Sequence, residues 1–87
     1  MTTVLQEASA LIDGPRRDPY GSPKVSFGRI AELWNSYLYA KYGIETELTT
    51  EDVAWLMVQL KMARQMNKPH RDNLADAAGY VGLIEQL

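Results

Sequence analysis

The chain has no cysteine and a single histidine, His70. Disulfide staples and thiolate-metal sites are therefore excluded, and a histidine-rich metal centre with them. No apolar run approaches the roughly 20 residues that span a bilayer. The first residues, MTTVLQEASALIDG, lack the basic region and apolar core of a secretion signal. These absences predict a cytoplasmic protein without membrane contact. Acid slightly exceeds base, with Asp+Glu 11 against Lys+Arg 9, so the basic character of a duplex nucleic-acid binder is missing. Alternation with period two is also missing, which argues against strands. At 87 residues the chain reads as one domain, 1–87, near the lower size limit of a self-supporting core. With neither disulfide nor metal, self-association is the remaining support.

Helical periodicity is what the sequence does contain. Val4, Leu5, Ala8, Leu11 and Ile12 recur at helical spacing over 3–13. Thr3 with Gln6 forms a capping box, and Asp13-Gly14-Pro15 is a stop. Ser22-Pro23, a cap followed by proline at the first helical position, opens a second helix over 23–42. Phe27, Ile30, Ala31, Trp34, Tyr37 and Leu38 stripe it, and Gly43 closes it with a left-handed cap. Gly28 inside this helix costs about 1 kcal/mol relative to alanine, which calls for a later boundary or a closely packed neighbour.

The third helix, 50–67, starts at Thr49 with Glu51 and Asp52 in its first turn, where acids suit the helix dipole. It carries two apolar stripes: Val53, Leu56, Met57, Leu60 and Ala63, then Trp55, Val58, Met62 and Met66. A surface helix needs one, so one stripe is expected inside the subunit and the other against a partner chain. The fourth helix, 72–86, has Asp72 as its expected cap. Leu74, Ala77, Ala78 and Val81 point one way, and Tyr80, Leu83 and Leu87 another. Its short link to the third helix makes the two an antiparallel hairpin. The expectation is an all-α fold of about four helices, homo-oligomeric through helices three and four.

Charge is segregated along the chain. Residues 61–71 hold Lys61, Arg64, Lys68 and Arg71 with no acid, whereas 30–60 hold Lys41 against Glu32, Glu45, Glu47, Glu51 and Asp52. Lys61 and Arg64 share a helix face, and Asp76 sits mid-helix among Leu74, Ala75, Ala77 and Ala78. Two readings stay open. Lys61 or Arg64 forms a structural ion pair with Asp72 or Asp76 across the hairpin, or the surplus positive charge, with Arg71 and His70, binds phosphate. In the loop 14–24, Arg16 and Arg17 beside Tyr20 are placed to clamp a phosphate and stack on a base. The plainer reading of that loop is a solvated turn. Gly21-Ser22-Pro23 lacks the glycine spacing and terminal lysine-serine pair of a P-loop. His70 reads as a solvent-facing turn residue, Glu51 and Asp52 as helix-start residues. No catalytic residue, cofactor or metal site is expected.

Three blocks carry a resemblance: Tyr20-Gly21-x-Pro23-x-x-x-Phe27-x-Arg29-Ile30-Ala31-x-Leu33-Trp34-x-x-Tyr37-Leu38, Asp52-Val53-Ala54-x-x-Met57-x-x-x-Lys61-x-Ala63-Arg64, and Arg71-Asp72-x-Leu74-x-Asp76-x-Ala78-Gly79-Tyr80. In this order they resemble a family of small phage and prophage proteins, common in phages of actinobacteria, to which no biochemical role attaches. That resemblance implies the cytoplasm of a host cell. More distantly, the layout looks like the MazG-like all-α nucleoside triphosphate pyrophosphohydrolases. Those enzymes hold magnesium through Glu-Glu-x-x-Glu on one helix and Glu-x-x-Asp on a later one, because hard cations take oxygen ligands. Here the later motif reads Asn73-Leu74-Ala75-Asp76, and Trp55 stands where the first motif needs its last glutamate.

The expectation drawn from these features is binding of a nucleotide or nucleotide-like phosphate without turnover, by Arg16, Arg17, Lys61, Arg64 and Arg71 with Tyr20 on the base. A protein-interaction module, such as an inhibitor of a host factor acting through the second stripe of helix three, is the alternative. A metal-dependent pyrophosphohydrolase comes third.

Overall fold

Capping chemistry sets the helix ends, because the first four amides and last four carbonyls of a helix have no partner within it. A computed structural model describes residues 2–13 and 22–87. Its helices are α1 (Val4–Asp13), α2 (Pro23–Tyr42), α3 (Thr50–Asn67) and α4 (Arg71–Leu83), with a 3-10 turn at Ile84–Gln86. Thr3 and Gln6 exchange backbone-to-side-chain bonds of 2.8 and 3.1 Å ahead of α1. Ser22 Oγ accepts from the Val25 amide at 3.3 Å. Thr49 and Asp52 close a full capping box on α3, at 3.3 and 2.8 Å. Gly43, at φ 67, ends α2 in the left-handed conformation and donates to the Tyr39 carbonyl.

Three helix ends differ from the sequence reading. The first helix begins at Val4, with Thr3 as its cap. The fourth runs 71–83 and tightens into the 3-10 turn instead of continuing to 86. Its cap is His70, whose Nδ1 accepts from the Asp72 amide at 3.1 Å. Accepting that proton requires the neutral ring protonated on Nε2. Asp72, expected as the cap, is therefore a first-turn residue, and His70, expected only as a solvent-facing turn residue, is the cap.

The helices stack in the order α1, α4, α3, α2, so α3 and α4 form the centre. Near the turn Gln65 Oε1 accepts from the His70 amide at 2.9 Å and from Asn73 Nδ2 at 3.2 Å. Farther from it Lys61 meets Asp76, so the two helices run antiparallel. The core is small: Phe27, Ala31, Val53, Ala54 and Leu83, with the Phe27 ring 6.0 Å from that of Tyr80. Among the described residues Val53 is the largest side chain wholly enclosed.

Packing redraws the apolar faces. On α4 the buried line is Ala75, Gly79 and Leu83, while Leu74 and Val81 are exposed. Small residues let α1 approach: Leu11 lies over Gly79, and Ile12 lies so near Gly82 that an added Cβ would overlap it. On α3 Val53 and Ala54 are buried and Met57 and Lys61 half-buried beside them, leaving Leu56 and Leu60 exposed with most of the second stripe. Gly28 meets neither explanation offered for it. The helix does begin at Pro23, and a Cβ there would find only Thr50 Cγ2, at 4.0 Å.

Candidate functional site

Of the residues proposed to hold a phosphate and its base, Arg16, Arg17 and Tyr20 lie outside the described residues. The others are distributed over different contacts. Lys61 Nζ stands 3.0 Å from Asp76 Oδ2, its side chain 13% exposed and that of Asp76 36%. Arg71 faces α1: Nε is 3.1 Å from Glu7 Oε2, and Nη2 donates to the Thr2 carbonyl. Glu7 also accepts from Thr2 Oγ1 at 3.3 Å, so Arg71 and Glu7 tie the start of α1 to the start of α4. Arg64 is exposed and has no side-chain ion pair among the described residues. Asp72 lies 3.8 Å from His70 Nδ1 and pairs with neither Lys61 nor Arg64. The hairpin ion pair thus belongs to Lys61 and Asp76, and Asp72 has no part in it.

Three grooves stand out among the described residues. A groove of about 310 Å³ opens between α2 and α3, lined by Trp34, Tyr37, Leu38, Leu48 and Leu56. Its position follows from the length of α2, whose C-terminal half runs past the small core. Leu48 forms one wall, and a polar residue holds it there. Asn35 Oδ1 accepts from the Leu48 amide at 2.9 Å and from Thr46 Oγ1 at 2.6 Å, while Asn35 Nδ2 donates to the Leu48 carbonyl at 3.2 Å. One side chain therefore satisfies both backbone groups of Leu48 and fixes the 43–49 connection on α2. Sequence reasoning passed over Asn35. Its signal was a weak helix former on the otherwise apolar face that includes Ala31, Trp34 and Leu38.

A second groove, about 220 Å³, lies between α3 and α4 and is lined by residues including Lys61, Met62, Met66, Leu74 and Ala77. A third, about 380 Å³, is bordered by Asn35, Ser36, Tyr39, Glu45, Thr46 and Glu47, two of them acidic. Among the described residues no three of His, Cys, Asp and Glu are grouped to hold a metal ion, and no helix is long and apolar enough to cross a membrane. Glu51 Oε2 accepts from Trp55 Nε1 at 3.3 Å, and Asp52 serves the α3 cap.

Comparison with known proteins gives a phage setting. The family model DUF6378, described as a domain of unknown function, matches residues 3–87. The chain is 43% identical over 86 residues to the Gene 55 protein of Mycobacterium phage L5. It is 41% identical over 86 residues to the Gene 55 protein of Mycobacterium phage D29. Each match takes in 98% of this chain but 52% and 53% of the relatives, so the chain spans about half their length. No solved structure matches it. The phage relationship expected from the three sequence blocks is thereby established. A likeness to MazG-like enzymes is not among what these matches show.

Proposed function

We propose, for a chain that belongs to the DUF6378 family across residues 3–87, that its work is recognition of another protein through the groove between α2 and α3. The observation that carries this reading is the groove itself, an apolar trough between two helices with Trp34, Tyr37, Leu38, Leu48 and Leu56 around it. Leu33 and Leu60 are exposed on the same two helices. Contiguous exposed apolar surface with aromatic side chains marks interaction sites, and a trough between helices takes the apolar face of a third. The surrounding charge selects among such segments. Glu45 and Glu47 lie on the connection that supplies Leu48. The fitting partner is an amphipathic helical segment with basic flanks.

A nucleotide phosphate is less well supported. Lys61 and Arg71 are already paired with carboxylates, so binding through them would open two ion pairs. The relatives are phage proteins, which makes a host protein a natural source of the recognised segment.

Trp34 supplies the test. In a Trp55→Phe background its fluorescence reports on the groove alone. Titration with a basic amphipathic helical peptide should give a saturable change. An acidic peptide with the same apolar face should bind more weakly, by about tenfold or more. Leu56→Glu should abolish the response while the fold persists. No saturation with either peptide would overturn the reading, and so would unchanged binding by Leu56→Glu. A nucleotide that raises the melting temperature of the parent but not of Arg64→Lys would install the phosphate reading in its place.

A further inference from the structure

We infer that the exposed side of α3 is the contact between two copies of this chain, packed antiparallel about a twofold axis. This surface is separate from the α2–α3 groove, and the inference does not depend on what that groove binds. Trp55, Met62 and Met66 are 44%, 55% and 84% exposed. With Gln59 they fall at i, i+4, i+7 and i+11, the spacing of a helix-pairing seam. No charged residue occupies the seam.

A second copy is the occupant that fits, because the seam is complementary to itself. A twofold axis crossing α3 between Leu60 and Lys61 sets Trp55 of one copy against Met66 of the other, and Gln59 against Met62. Sulfur–aromatic contact favours the first pairing. The ends match as well. Glu51 and Asp52 in the first turn of one α3 come opposite Lys68 just beyond the last turn of the other, and the two helix dipoles oppose. The α3–α4 groove beside Met62 and Met66, about 220 Å³, is then the hole into which the second copy's Trp55 inserts.

A twofold pair is also the commonest closed assembly, since each side needs only one patch.

Sedimentation equilibrium of the full chain, with Met66→Glu, Met62→Glu and Leu56→Glu beside it, tests the inference. The parent and Leu56→Glu should be dimers at micromolar concentration. Met66→Glu and Met62→Glu should raise the dissociation constant by about tenfold or more, with helix content unchanged because both side chains face solvent within the monomer. In a Trp34→Phe background, Trp55 emission should shift to the blue as dimer forms. A monomeric parent at high micromolar concentration would overturn the inference, and so would a dimer that survives both methionine substitutions. Peptide binding in the α2–α3 groove should persist in Met66→Glu, so a failure of one surface is distinguishable from a failure of the other.

Discussion

Lys61 and Asp76 illustrate what a single position contributes here. The lysine is almost covered, the aspartate about a third exposed, and the two sit 3.0 Å apart. Removing one partner of a fully buried pair costs about 3–5 kcal/mol. Water reaching Asp76 screens this pair, so Asp76→Ala should lower the unfolding free energy by about 1–2 kcal/mol. Urea titration measures it, and the double substitution Lys61→Met with Asp76→Leu should recover most of the loss. A single-variant loss within error would remove the pair from this account. Asn35 acts differently, since it serves backbone groups. Asn35→Ala leaves the amide and carbonyl of Leu48 without their side-chain partner, at a cost of about 2–3 kcal/mol. The same variant should weaken peptide binding, because Leu48 is a wall of the groove. Melting and Trp34 fluorescence together check it. If stability falls while binding is untouched, Leu48 is not held by Asn35 in the way described. The pairing of Asp76 with a helix-three cation could be anticipated from its place among alanines. Choosing Lys61 over Arg64 required the register of α3 against α4.

At the scale of elements, caps and stops were readable one by one. Ser22-Pro23, Thr49 with Asp52, and Gly43 each act within a few residues of themselves, so no distant contact is needed to find them. The exception was His70, whose imidazole nitrogen does what an aspartate usually does. Faces were harder to read than ends. Bulk drew attention to Leu74, Val81, Leu56 and Leu60, whereas the contacting lines on α4 and α3 add Ala75, Gly79 and Ala54 to Val53, which the stripe did contain. Small side chains permit close approach, and their burial shows only once the neighbour is in place. Two glycines test this with opposite signs. Gly28→Ala should stabilise by about 1 kcal/mol, since the new methyl meets only Thr50 Cγ2 at 4.0 Å. Gly82→Ala should destabilise by about 1–2 kcal/mol net, because pushing back Ile12, whose Cγ1 lies 3.1 Å from the new methyl, outweighs the roughly 1 kcal/mol that alanine returns to the helix. Thermal melts of the two variants decide it. A Gly82→Ala protein as stable as the parent would mean that α1 is not seated on α4 as described.

For the molecule as a whole, the stacking order α1, α4, α3, α2 leaves a core too small to cover the aromatic and aliphatic side chains that the helices carry. Apolar surface therefore remains on both flanks of α3, and the two proposals assign one flank to each kind of partner. The sequence by itself determined the helix count, most of the ends, the hairpin and the phage kinship, because these depend on neighbours along the chain or on matching blocks of residues. It also showed that α3 has more apolar surface than one subunit can enclose. Only the tertiary structure decided which residues are left outside. It closed Lys61 on Asp76 and turned Arg71 toward Glu7, so the basic segment 61–71 does not present these two cations as one free cluster. The physical reason is that periodicity fixes the angle of a side chain around its own helix, whereas burial and pairing depend on where the next helix lies. That placement is set by the small residues of α4 and by the hydrogen bonds of Asn35, whose partners lie 11 and 13 residues away in sequence.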